Sequence, residues 1–174
     1  ISFFEKKEFL DLWDVDREIW SKLLLASSNN DKKVLACQLV NYPWNRIIST
    51  KLLHDENIFF GKTIVHNDVP YHWHSIATAK NIGVFNNYVC IHRKFDNREQ
   101  LTNISDKRRL MVLEAYRHTN EILRKSASYP LIFNYWKGFT IDLLKWANGH
   151  VPKEYWGYYN EKRKEIIYSL GEKT

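Results

Sequence analysis

Residues 131–147 read LIFNYWKGFTIDLLKWA, a stretch that is apolar on most faces of a helix. In front of it, Ser128-Tyr129-Pro130 puts a proline in the first helical turn, where its missing N–H leaves nothing unsatisfied. Behind it, Asn148-Gly149 supplies a stop. A helix apolar nearly all round must be enclosed by other elements or half-covered by a partner. The rest of the chain therefore has to provide a helical shell, and the expected fold is mainly α.

The flanking segments carry the signals of such a shell. Ile19, Trp20, Leu23 and Leu24 recur at helical spacing behind Asp14 and Asp16, so a helix is expected up to the polar run Ser27-Ser28-Asn29-Asn30. DKKVLACQLV (31–40) makes a second helix. Pro43 suits the first turn of a third, carrying Trp44, Ile47, Ile48 and Leu52. Ser105 caps a helix running to about Lys125 in which Leu110, Met111, Leu113, Ala115 and Ile122 keep helical spacing, and Pro152 opens a last helix that ends at Gly171. Between these halves, FFGKTIV (59–65) and VFNNYVCI (84–91) are β-branched, aromatic and bounded by turn residues, so a small two-stranded β element is expected within about 56–95.

The chain has 174 residues, the length of one domain, and shows neither an internal repeat nor a low-complexity linker. We read 1–174 as a single compact domain with a helical N-terminal part (1–55), an irregular histidine- and aromatic-rich middle (56–104) and a basic helical part (105–174). Aromatic residues make up 15% of the chain and glycines number six, so aromatics are the main packing material and Gly-rich phosphate loops are absent. Cys37 and Cys90 lack CxxC spacing and sit in apolar runs, as small buried hydrophobes do. With no apolar run long enough to span a membrane and a charged N-terminus unlike a signal peptide, an intracellular protein of a reducing compartment is expected. A trimmed targeting segment ahead of Ile1 stays open.

The formal net charge is +6, and it is unevenly spread. Lys/Arg and Asp/Glu balance at eight each in 1–55, stand at five against four in 56–104, and at thirteen against eight in 105–174. The basic excess thus belongs to the C-terminal part and calls for an anionic partner. Cations neutralise phosphates, and Tyr and Trp faces stack on unpaired bases. Lys107, Arg108, Arg109, Arg117, Arg124 and Lys125, with Tyr135 and Trp136, are therefore the candidate nucleic-acid-binding residues. Glu114 and Glu121 interrupt this basic helix.

A second constellation lies between His66 and His74. In an extended segment residues i and i+2 share a face, so His72 and His74 could hold one divalent metal ion, with His66 or Asp68 completing the shell. The triplet His72-Trp73-His74 resembles the two-histidine motif of the HUH single-strand endonucleases and a similar segment of cupins, over these few residues alone. In the HUH class a downstream tyrosine is the nucleophile, which makes Tyr116 the candidate catalytic residue. That class is built on a five-stranded sheet, however, and cupins place a Glu shortly after the pair, where this chain runs SIATAKNIG. Neither membership is adopted.

The leading expectation is a nucleic-acid-associated basic helical domain that binds DNA or RNA through its C-terminal helices, requires no cofactor and is not an enzyme. The alternative is a protein-interaction or structural subunit that spends its aromatic surface on a protein partner or on self-association, since Tyr, Trp and Arg are enriched at interface hot spots. The third is a metal-dependent nuclease centred on His66–His74. No membrane partner is expected.

Overall fold

The structure, a computed structural model, describes residues 2–5, 8–10, 14–87, 91–93 and 104–171. It is mainly helical: α1 (Asp14–Leu25), α2 (Asn29–Ala36), α3 (Thr50–Asp55), α4 (Asp68–Thr78), α5 (Met111–Arg124), α6 (Tyr129–Asn148) and α7 (Trp156–Ser169). Ser28 caps α2 as a side-chain acceptor for the Asp31 N–H, and Pro130 occupies the first turn of α6. Among the described residues no helix is long and apolar enough to cross a membrane.

The core forms where five helices meet. Ala36 and Cys37 at the end of α2, Val69, Trp73, Ile76 and Ala77 of α4, Tyr116 and Leu123 of α5, Ile132 and Trp136 of α6, and Leu170 after α7 make one buried cluster. Trp136 lies at its centre with no exposed surface. Its ring stacks on Tyr116 at 5.7 Å between centroids and meets Trp73 edge-on at 5.1 Å, while its Nε1 donates to Asn120 Oδ1 at 3.1 Å. A second cluster joins Val112 and Leu113 to Leu144, Ala147, Val151 and Tyr159, whose hydroxyl donates to the Leu144 carbonyl at 2.6 Å. The apolar segment that dominates the sequence is thus enclosed as expected, its buried residues Ile132, Trp136, Thr140, Leu144 and Ala147 forming one stripe at helical spacing.

Buried polar groups tie the helices together. Lys33, 7% exposed, donates from Nζ to the Ala77 carbonyl at 3.0 Å and to Ser128 Oγ at 2.8 Å; Ser128 Oγ in turn donates to the same carbonyl at 2.8 Å. One ammonium thereby joins α2, the end of α4 and the start of α6, which satisfies the demand that a buried charge be hydrogen-bonded. Cys37 is buried and its thiol is pushed up to about 12 by desolvation, in keeping with a small hydrophobe rather than a reactive thiolate. Cys90 lies outside the described residues.

Three expectations need correction. The third helix is split: Pro43–Asn45 forms a short 3-10 turn, Arg46 is extended at φ −149°, and α3 starts only at Thr50. Arg46 leaves the helical path to send its guanidinium inward against α4. The middle β element does not form between the expected segments, since residues 59–65 contain no strand. Instead three short strands, β1 (Ser2–Glu5), β2 (Glu8–Leu10) and β3 (Ile91–Arg93), pair in the order β2-β1-β3, with β1 antiparallel to β2 and parallel to β3. Finally, the histidine-rich segment is helical, not extended. Val69, Trp73, Ile76 and Ala77 recur at i, i+4, i+7 and i+8 and are all buried, so core packing selects the helix.

Residues 58–67, which lead into α4, form an anchored loop. Ile58 and Val65 face the interior while Phe59, Phe60 and Ile64 stay exposed, and the Gly61 N–H donates to the Asn67 carbonyl at 2.7 Å. A Cβ on Gly61 would stand 3.1 Å from Pro70 Cγ and 3.3 Å from Asn67 Cα, so any side chain here would require the start of α4 to give by a few tenths of an ångström.

Candidate nucleic-acid interface

The α5 helix is set up by Asp106, whose carboxylate accepts from the Arg108 N–H at 2.8 Å and from the Arg108 guanidinium at 2.5 Å; that guanidinium holds Asp106 down to about 2. Val112, Leu113, Ala115, Tyr116, Thr119 and Leu123 turn inward. The opposite face presents Glu114, Arg117, His118, Glu121 and Arg124 to solvent, followed by Lys125 just past the helix end. Helical periodicity thus decides which of the candidate cations reach a ligand.

Arg117, Arg124, Lys125 and Lys107 are exposed. Arg108 is engaged by Asp106 and half-buried. Arg109 departs from the expectation of a surface cation: it is 2% exposed, donates from Nε to the Ile104 carbonyl at 2.7 Å and lies over the Trp146 ring at 4.7 Å. Its position is on the inner side of the helical entry, three residues before Val112. Trp136, read as a stacking residue, is fully buried in the core, whereas its neighbour Tyr135 is 37% exposed. The sequence placed both on the same surface, but adjacent helical residues point about 100° apart.

Two clefts flank Arg117. One, of about 320 Å³, lies between α5 and the 61–63 loop and is lined by Lys62, Thr63, Glu114, Arg117, His118 and Glu121, among others. The other, of about 110 Å³, lies between α5 and α7, with Arg117, Tyr158, Lys162 and Glu165 on its walls. Tyr158 is 53% exposed, and Lys162 donates to Glu165 at 2.7 Å. Lys62, Thr63, Tyr158 and Lys162 were not among the sequence candidates, and His118 was one only as a further metal ligand. For α7 the signal was available, since 158, 162 and 165 share a helical face; the approach of the 61–63 loop was not legible.

The histidine segment packs directly on α5 without assembling the expected metal site. On α4, His72 and His74 are two residues and about 200° apart, hence on different faces. His72 is 1% exposed, and its Nδ1 accepts from the Arg46 guanidinium at 2.7 Å. Burial and Arg46 keep its pKa well below the usual imidazole range, with the Cys37 backbone acting in the opposite sense. His74 is lowered by burial, opposed by Glu56 and reinforced by His118. His66, in the left-handed region at φ 61°, lies 3.4 Å from Arg109 and edge-on to Trp146; burial and then Arg109 lower it to about 4. Asp68 opens α4 and is raised to about 6 by burial. Among the described residues no three His, Cys, Asp or Glu side chains converge as metal ligands.

Tyr116, the candidate nucleophile, is 6% exposed, stacked on Trp136 and raised in pKa by burial, with its hydroxyl 3.4 Å from Ser169 Oγ. Its oxygen is directed to α7 rather than to the histidines. A scan against protein-family models, a search of curated proteins and a search of solved structures each return no match for this chain.

Proposed function

We propose that this chain is a nucleic-acid-associated domain that binds a single strand across α5, with Arg117 at the crossing point. The observation that carries this reading is the position of Arg117 between two clefts, one of which sets the half-exposed Tyr158 ring beside Lys162. Guanidinium and ammonium groups hold phosphates, and an exposed tyrosine ring accepts a base by stacking. Arg124 and Lys125 extend the cationic path toward the end of α5, and Tyr135 of α6 offers a second ring. Arg109 and Trp136 take no part in it.

Binding should weaken steeply as salt rises. The double variant Arg117→Glu, Arg124→Glu should bind short single-stranded oligonucleotides far more weakly than the parent. Its log K against log salt should be shallower by about 1.4, the share of two phosphate contacts on a single strand. Fluorescence anisotropy across a salt series measures both. A double variant that binds as the parent does removes α5 from the interface.

The second reading, a protein-interaction module, is favoured by a different observation. Phe59, Phe60 and Ile64 are 64%, 48% and 50% exposed on an anchored loop. Large apolar groups held rigidly toward water mark interaction sites. On this reading, Phe59→Ser with Ile64→Ser improves solubility and abolishes self-association in sedimentation experiments, while leaving oligonucleotide affinity unchanged. A monomeric parent protein at high concentration argues against self-association through this loop.

A further inference from the structure

We infer that the cleft between α5 and α7 reads one base of the bound strand and selects cytosine, Glu165 accepting from its exocyclic N4 amine; this rests on the nucleic-acid reading above. Tyr158, Lys162 and Glu165 follow one another at spacings of four and three along α7 and line this cleft together, with Arg117 of α5 on its other wall. Leu113 and Tyr116, both 6% exposed, lie beneath them.

The arrangement suits a flat, neutral ring better than a phosphate. Tyr158 is 53% exposed and offers a face on which a base stacks. The Lys162 ammonium donates to Glu165 Oε1 at 2.7 Å and stands 3.8 Å from Glu161 Oε1, so the charges that α7 brings to the cleft largely cancel. Arg117 makes no ion pair among the described residues and is left to hold the adjoining phosphate.

Lys162 also fixes the acceptor. It occupies one carboxylate oxygen of Glu165, and Oε2 accepts no hydrogen bond among the described residues. The Glu165 side chain is 56% exposed, so this oxygen is open to a ligand. One open carboxylate oxygen beside a stacking ring calls for one N–H donor on the base edge. The N4 amine of cytosine is such a donor, and a carboxylate is the side-chain group that accepts from it. Uracil has an oxygen in that place, and its single imide N–H lies between two carbonyl oxygens that repel an approaching carboxylate. Guanine presents two parallel donors, which ask for both carboxylate oxygens. The small volume, about 110 Å³ against about 320 Å³ on the other side of Arg117, also favours one ring over two.

The test compares oligodeoxycytidylate with oligodeoxyuridylate of the same length, above neutral pH so that cytosine stays unprotonated, by fluorescence anisotropy on the full chain. Cytidylate should bind about tenfold more tightly, the worth of one hydrogen bond to a charged acceptor. Glu165→Gln, at an exposed position, should bring the two affinities together, because an amide donates to uracil O4 as readily as it accepts from the amine. Tyr158→Ala should weaken both strands by about fivefold or more, the loss of one stacked base. Equal affinity of the parent for the two strands, or a preference that survives Glu165→Gln, overturns this inference while leaving nucleic-acid binding intact. Binding to neither strand at low salt overturns both.

Discussion

Trp136→Ala should lower the unfolding free energy by about 3–5 kcal/mol, the cost of emptying a fully buried aromatic site. The indole is in contact with α4 and α5 at once through Trp73 and Tyr116, and it lies 5.9 Å from Phe139 on its own helix. Each aromatic pair adds about 0.5–1.5 kcal/mol beyond area burial. A domain of this size has a total stability of about 5–15 kcal/mol, so the variant should be partly unfolded at ambient temperature or lose most of its urea midpoint. Trp136→Phe keeps a ring in the site and gives up the Asn120 hydrogen bond, and it should lose much less. A Trp136→Ala protein within about 1.5 kcal/mol of the parent, the range of a tolerated core swap, would mean that the three helices do not converge on this side chain.

Stability should also fall as pH drops from 7 toward 5. In the folded chain burial lowers His66 to about 4 and His72 well below its ordinary value, whereas both titrate near 6.5 when unfolded. Between those values the unfolded chain binds protons that the folded chain refuses, so stability is lost as pH falls, by about 1.4 kcal/mol per pH unit for each proton fully in play. His74, lowered by burial, acts in the same direction. Asp68 acts oppositely: raised to about 6 by burial, it holds a proton in the folded chain between about 6 and 3.8, and this gain partly offsets the histidines as acid is added. Asp16, raised by burial against the Val40 hydrogen bond, does likewise. Asp68→Asn removes one offset, so its stability curve should be steeper than the parent's between pH 6 and 4. Urea unfolding at half-unit pH intervals checks both slopes. A curve flat from pH 7 to 6, above the range in which Asp68 offsets them, would show that these imidazoles are not buried neutral.

How much of this was legible depends on which interactions decide each element. Helices α1, α2, α5, α6 and α7 announce themselves through local signals, Pro130 in a first turn and apolar residues at helical spacing, which act within a few residues and are visible in one dimension; Ser28, read as part of the stop of α1, caps α2 instead, which therefore runs Asn29–Ala36 rather than 31–40. The α4 helix carries an equally clear stripe at Val69, Trp73, Ile76 and Ala77, but the polar residues His66, Asp68, His72 and His74 drew attention to an alternating pattern that the core does not support. Ile47 and Ile48 suggested that a third helix continues past Asn45, and what stops it is Arg46 reaching His72, a partner 26 residues away. The candidate surface failed at Arg109 and Trp136 for a related reason. Charge and ring type name residues suited to a nucleic acid, while helical phase decides which of them ever meets one.

The buried cluster around Trp73 and Trp136 also orders events during synthesis. Ala36 and Cys37 contribute near one end of the chain and Leu170 near the other, and Lys33 finds Ser128 across 95 residues. When the ribosome has released only α1 to α4, the apolar stripe of α4 and the ammonium of Lys33 have no cover, because α5 and α6 are still to come. Closure of so many distant pairs is slow compared with forming any one helix. A nascent chain stalled before α5 therefore exposes Val69, Trp73 and Ile76 to whatever binds apolar surface in the cell, and α5 and α6 act as the folding trigger for residues translated before them.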